Sequence, residues 1–161
     1  MIYYGATDLK QIELVADRVV GALGGGDNAY MLIMETCQQE TNGGTYLARR
    51  SAYAAGVGIN QCDPVGFTDT RDRTSKKVKK IVLEEFGINV DSVHHRELAY
   101  SPLLSFIWCR LHYLLRPGAI PDTVEGRAGY WKVWYNSVLG KGTTKEYIHN
   151  AQKVNTRPWP Y

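Results

Sequence analysis

Gln38-Gln39-Glu40-Thr41-Asn42-Gly43-Gly44 and, further on, Gly58-Ile59-Asn60-Gln61-Cys62-Asp63-Pro64 are the stretches that decide how this chain is read. In the first, an apolar helical run carrying Met31, Leu32, Met34 and Cys37 meets Asn42-Gly43-Gly44. Left-handed backbone is easily adopted there, so the helix ends. Glu40 lies seven residues after Ile33 and three after Cys37, which puts all three on one helical face. Its carboxylate is expected at the edge of an apolar surface. Burial and the negative end of the helix both raise a carboxyl pKa there. The second stretch adds amides and another carboxylate from a segment of small residues without helical period.

The elements on either side follow from periodicity and punctuation. Leu9, Ile12, Val15, Val19 and Leu23 recur at helical spacing behind Thr7 or Asp8 as a cap, predicting a helix from about Asp8 to Leu23. After Gly24-Gly25-Gly26 the second helix begins near Asp27 or Asn28. Residues from about Thr45 to Asp69 read as a loop with room for a small hairpin. Thr74 to Gly87 is an amphipathic helix with a basic first half. Ser101-Pro102 opens another, with Pro at its first position, that runs to Leu115 before Arg116-Pro117-Gly118. Asp122-Thr123-Val124-Glu125 and Thr143-Thr144-Lys145-Glu146 have capping-box spacing. They predict helices over about Val124–Tyr135 and Thr144–Val154. Thr156 to Tyr161, with two prolines, is a non-helical tail. The fold class is therefore mainly α: about six helices, one long irregular or small β segment, a single domain over 1–155 and a tail over 156–161.

Length and composition bound the function. A chain of 161 residues fits one domain with one real core. A net charge of +3 suits anionic polymers weakly and does not call for nucleic acid. The start lacks the basic and apolar regions of a signal peptide, and no apolar run reaches the ~20 residues of a membrane span. Cys37, Cys62 and Cys109 are odd in number and lack CxxC spacing, so no disulfide framework is expected and synthesis in a reducing compartment fits.

Glycosidic cleavage needs a proton on the leaving oxygen, and a carboxyl supplies one near neutral pH only if its pKa is raised. Glu40 is the candidate acid. Glu35, five residues earlier and turned away, is assigned surface or ion-pair duty. Gln61 and Asp63 are candidates for binding saccharide hydroxyls or N-acetyl groups, beside the plainer reading that they serve their own loop. Tyr135-Asn136, before glycine-rich turns, present a phenol and an amide. Trp131, Trp134 and Tyr135 are expected to be core in part. His94-His95 lack a supporting ligand cluster, so no metal is assigned. His112 is a packing histidine within its helix. Lys76, Lys77, Lys79 and Lys80 read as a solvated face.

Glu40-Thr41, then Gly58-Ile59-Asn60-Gln61, then Tyr135-Asn136 resemble in order the three motifs of lytic transglycosylases and goose-type lysozymes. Leu111-His112-Tyr113 and the run Tyr130 to Thr143 extend the likeness to the small virion-associated peptidoglycan-degrading proteins of tailed bacteriophages. The resemblance spans roughly Met31 to Asn150 and implies a lysozyme-like domain without a cofactor. It implies Glu40 as general acid/base, with Thr41, Gln61, Asp63, Tyr135 and Asn136 lining the saccharide site. It further implies peptidoglycan glycan strands as substrate, other virion (tail) proteins as partners, and delivery to the host wall in the particle. A catalytically weak structural virion protein and a free endolysin are the alternatives. Thr41 stands where Ser is common, Asp63 where Glu is common, Ser137 where Thr is usual, and Asn60 where an apolar residue is usual.

Overall fold

The computed structural model describes residues 1–47, 56–137 and 139–158. Among them are seven α-helices: α1 (Leu9–Leu23), α2 (Gly26–Thr41), α3 (Pro64–Arg73), α4 (Lys76–Phe86), α5 (Pro102–Leu114), α6 (Val124–Trp131) and α7 (Thr144–Ala151). Short 3₁₀ turns at Val90–Ser92 and His95–Ala99 join α4 to α5. The fold is mainly α. No described helix is long and apolar enough to cross a membrane.

Side-chain caps start most of these helices. Asp8, Asp63, Ser75, Ser101, Thr123 and Thr143 each accept a hydrogen bond from a backbone N–H of the first turn. Each such cap is worth about 1 kcal/mol. Helix α2 is the exception: its cap is Gly25, which has no side chain to offer.

Helix α5 is the hub. Phe106, Ile107, Trp108, Cys109, Leu111 and Tyr113 are all buried, so it is apolar almost all round and other helices enclose it. Helices α1, α2 and α3 pack on it. Trp108 stacks on Phe67 of α3 at 4.7 Å and donates its indole N–H to the Phe67 carbonyl. A second, smaller cluster of Ala128, Trp131, Tyr147 and Ala151 joins α6 to α7, and both helices lie against α2. A buried ion pair ties this lobe down. Arg127 donates to both oxygens of Glu35 at 2.7 and 2.8 Å, and the Tyr147 hydroxyl donates to the same carboxylate.

Three expectations change. Part of the segment read as a loop is helix α3. Its marks are a cap followed by Pro, not apolar period, because only Phe67 and Thr70 are buried in it. The helix expected to run to Tyr135 ends at Trp131 and widens into a π-turn over Lys132–Asn136. The last helix stops at Ala151. The small hairpin is a single antiparallel bridge between Val57 and Cys62. The remainder of that loop (48–55) and the end of the tail (159–161) lie outside the described residues. Arg157, in the described part of the tail, is held by Asp17 at 2.6 Å and Asp27 at 3.4 Å, against α1 and α2.

Candidate active site

Glu40 sits in the last turn of α2, half-buried. Its Oε1 accepts a hydrogen bond from the Trp131 indole N–H at 3.1 Å. Burial raises its pKa from 4.5 to about 7, and the indole bond offsets part of that rise. No ion pair reaches it among the described residues. Glu40 is therefore about half protonated at neutrality, where an ordinary glutamate is ionised, so a share of the protein carries the proton a general acid must give. Glu35, the rival, is 1% exposed and fully engaged with Arg127 and Tyr147. It is in an ion pair, as expected, though in the core and not at the surface.

The helix stop beside Glu40 is built from backbone. Asn42 adopts a left-handed conformation, and its N–H reaches back to the carbonyls of Cys37 and Gln38. Thr41 is fully buried. Its hydroxyl donates to the Ile59 carbonyl at 2.7 Å and accepts from the Gly44 N–H at 3.1 Å. This corrects the expectation of a saccharide contact: Thr41 pins the Glu40 turn to the Gly58–Gln61 turn.

Gly58-Ile59-Asn60-Gln61 forms the tip of the Val57–Cys62 bridge. Gly58 has φ +81°, and a Cβ there would fall 2.2 Å from the Ser105 hydroxyl, so only glycine lets the tip reach α5. Gln61 takes positive φ, +49°, and donates its side-chain amide to the Gly58 carbonyl at 2.8 Å. Its amide closes its own turn. Asp63 accepts from the Gly66 N–H at 2.7 Å and caps α3, so its carboxylate has a structural duty. Gln61, Asp63, Trp108, His112 and Tyr135 nonetheless line one narrow crevice of about 40 Å³.

Glu40 is not among the residues that line this crevice; Tyr135 forms one wall of it. Its hydroxyl donates to the Asn60 carbonyl, and its ring stacks on Tyr113 at 5.4 Å and meets His112 edge-on at 5.0 Å. Burial first, and then neighbouring charges including Glu40, hold the phenol well above its usual pKa. Asn136 is engaged from within. Its Oδ1 accepts from Lys132 at 2.8 Å, and the same ammonium ties down the carbonyls of Gly140 and Gly142.

His112 donates from Nε2 to the Trp134 carbonyl at 2.6 Å and accepts at Nδ1 from Arg116 at 3.2 Å. Those bonds fix the neutral ring. Burial, then Arg116, lowers its pKa to about 4. Burial pushes the Cys62 thiol up to about 12 and Cys109 well above its usual value, which removes both as nucleophiles. His95 is tied to the Cys62 carbonyl at 2.6 Å.

Two site residues were missed in the sequence. Trp131, read as core, is buried yet aims its indole N–H at Glu40. Lys132 organises the turn behind Asn136. The capping box before α6 and the helical spacing of its aromatics fixed their place, but not the direction of the indole. A third observation is Asn60, which is 1% exposed and has no hydrogen-bond partner among the described residues for either amide atom. Comparison of the chain with known protein families, with curated proteins and with solved structures gave no match.

Proposed function

We propose that the protein cleaves the MurNAc–GlcNAc β-1,4 bond of bacterial peptidoglycan, with Glu40 as its single acid/base. The observation that carries this reading is a helix-end carboxyl with a pKa near 7, held by an indole N–H with no cation against it. Glu40 protonates the glycosidic oxygen as the bond to the anomeric carbon breaks. The resulting carboxylate then takes a proton from the attacking hydroxyl. If that hydroxyl is the sugar's own, the product is a 1,6-anhydro ring; if it is water, the product is a reducing end. Asp63, the nearest rival for a second carboxylate, is occupied as a helix cap. This favours the first route, which needs no second carboxylate. The setting proposed is a phage particle whose tail or ejected proteins cross the host wall.

A second reading has its own support. The Thr41 hydroxyl, Gln61 Nε2 and Asn136 Oδ1 are all engaged inside the fold. A lysozyme-like scaffold kept as a structural or saccharide-binding virion part would do the same. Digestion of purified peptidoglycan, with mass spectrometry of soluble fragments, separates the two. The expected result is anhydro-muropeptides from the wild type and a loss of about 10²–10⁴-fold in Glu40→Gln. A folded wild type that releases no fragment from several wall types would overturn the enzymatic reading in favour of the second.

A further inference from the structure

On the opposite end of α2 from Glu40 lies an open cavity of about 360 Å³. Gly25, Asn28, Arg110, Tyr113, Arg116 and Tyr130 contribute to its wall, and no carboxylate does. Arg110 is 4% exposed. Its Nε donates to the Gly24 carbonyl at 2.9 Å, and no ion pair reaches it among the described residues. A buried charge of this kind is costly unless it is paired.

Its surroundings add to that cost. A Cβ on Gly25 would lie 2.7 Å from Arg110 Nη2, so the guanidinium lies close against the cap residue of α2. That helix has sixteen residues and no side-chain cap for its first N–H groups; Asp27, the acid of its first turn, is turned to Arg157 at 3.4 Å. A second cation, Arg116, shares the cavity. It is partly answered by Asp69 at 3.8 Å, but its Nε has no partner among the described residues. The Tyr130 hydroxyl is buried and also has no partner among the described residues. Two arginines, an uncapped helix start and Tyr130, whose hydroxyl is itself covered, thus surround one open space. Every one of them is a donor or a positive charge.

We infer that this cavity binds an oxyanion, a phosphate or a carboxylate group carried by a small molecule or a chain end. Arg110 is its anchor, with Arg116, Tyr130 and the N-terminus of α2 as further donors. Arginine forks match the geometry of both groups, and helix starts accept both. The cavity is larger than an ion, and Leu114 and Ile120 on its wall give an attached apolar portion a place to rest. The site lies at the start of α2 and Glu40 in its last turn, so the two stand apart.

The test is titration with inorganic phosphate, and separately with acetate, at ionic strength held constant with chloride. Heat release and the midpoint of thermal unfolding are followed together. Saturable binding of either anion is expected in the wild type and in Glu40→Gln alike. It should weaken by about tenfold or more in Arg110→Gln, and by a smaller factor in Tyr130→Phe, which removes only the hydroxyl. Phosphate acting alone identifies a tetrahedral ligand; acetate competing with it identifies a carboxylate. If Arg110→Gln does not fold, Tyr130→Phe and Arg116→Gln carry the test. No saturable effect beyond chloride, or unchanged binding in the folded variants, overturns the inference.

Discussion

The two ends of α2 make the same electrostatic choice with opposite signs. At its start a buried guanidinium faces the positive end of the helix; at its finish a half-buried carboxyl sits at the negative end. In each case the charge is the one the helix dipole disfavours, and among the described residues no ion pair reaches the group. Midway, Glu35 and Arg127 are paired at 2.7 Å and capped by Tyr147. The difference separates charges that hold the fold from charges left for something else. A satisfied pair fixes α6 on α2. An unsatisfied group relaxes by binding an anion or by keeping a proton.

The paired centre should give the largest effect. Arg127→Met leaves the Glu35 carboxylate buried without its partner and should cost about 3–5 kcal/mol, read from urea unfolding. Changing Glu35→Leu together with Arg127→Met should recover most of that loss, because the desolvation penalty disappears with the charges. A single-variant cost under about 1 kcal/mol would mean the centre is no better satisfied than the ends, and the contrast would fail.

Glu40 comes next, and its prediction concerns pH. A carboxyl whose folded pKa is raised from 4.5 to about 7 keeps a proton that the unfolded chain releases. Its contribution to stability is therefore whole below pH 4.5 and is lost as pH rises to 7. His112, lowered from 6.5 to about 4, runs the other way: its contribution is whole above pH 6.5 and is lost as pH falls to 4. Between pH 4.5 and 6.5 the two slopes cancel. Glu40→Gln removes one of them, so its stability should climb with pH across that window. At pH 8 it should exceed the wild type by about 1–3 kcal/mol. Equal pH profiles for the two proteins would show that Glu40 ionises as an ordinary exposed carboxyl does.

Much of this was legible in the chain. The apolar spacing of Leu9 to Leu23 and the Pro after Ser101 marked α1 and α5, and Glu40 with Cys37 and Ile33 marked a carboxyl on an apolar edge. Helix α3 escaped because it buries little, so periodicity had almost nothing to report. Its Asp63-Pro64 cap was the available signal. The charge relations were not legible, because they join distant residues: Glu35 with Arg127, Glu40 with Trp131, and Arg110 with Gly25. Spacing along one helix can place a carboxyl on a face. It does not say which cation, if any, another helix will bring.

Asn60 sharpens the comparison at the finishing end of α2. Its amide is buried without partners while its carbonyl accepts from Tyr135. Asn60→Leu removes the unsatisfied amide and should raise stability by about 1–2 kcal/mol. A variant that is less stable than the wild type would show that the amide is satisfied in solution.

The smallest effect is expected at Asp63, and it decides between two roles for one carboxylate. Asn caps helices about as well as Asp, so Asp63→Asn should keep the bond to the Gly66 N–H and change stability by no more than about 0.5 kcal/mol. What it removes is the negative charge. If Asp63 only starts α3, peptidoglycan digestion by Asp63→Asn should match the wild type, and Glu40 stands as the single acid. If the charge also stabilises the sugar cation or orients water, digestion should fall while the unfolding curve stays where it was. That split between activity and stability is one a purely capping residue would not produce, and it would turn the single-acid mechanism into a two-carboxylate one.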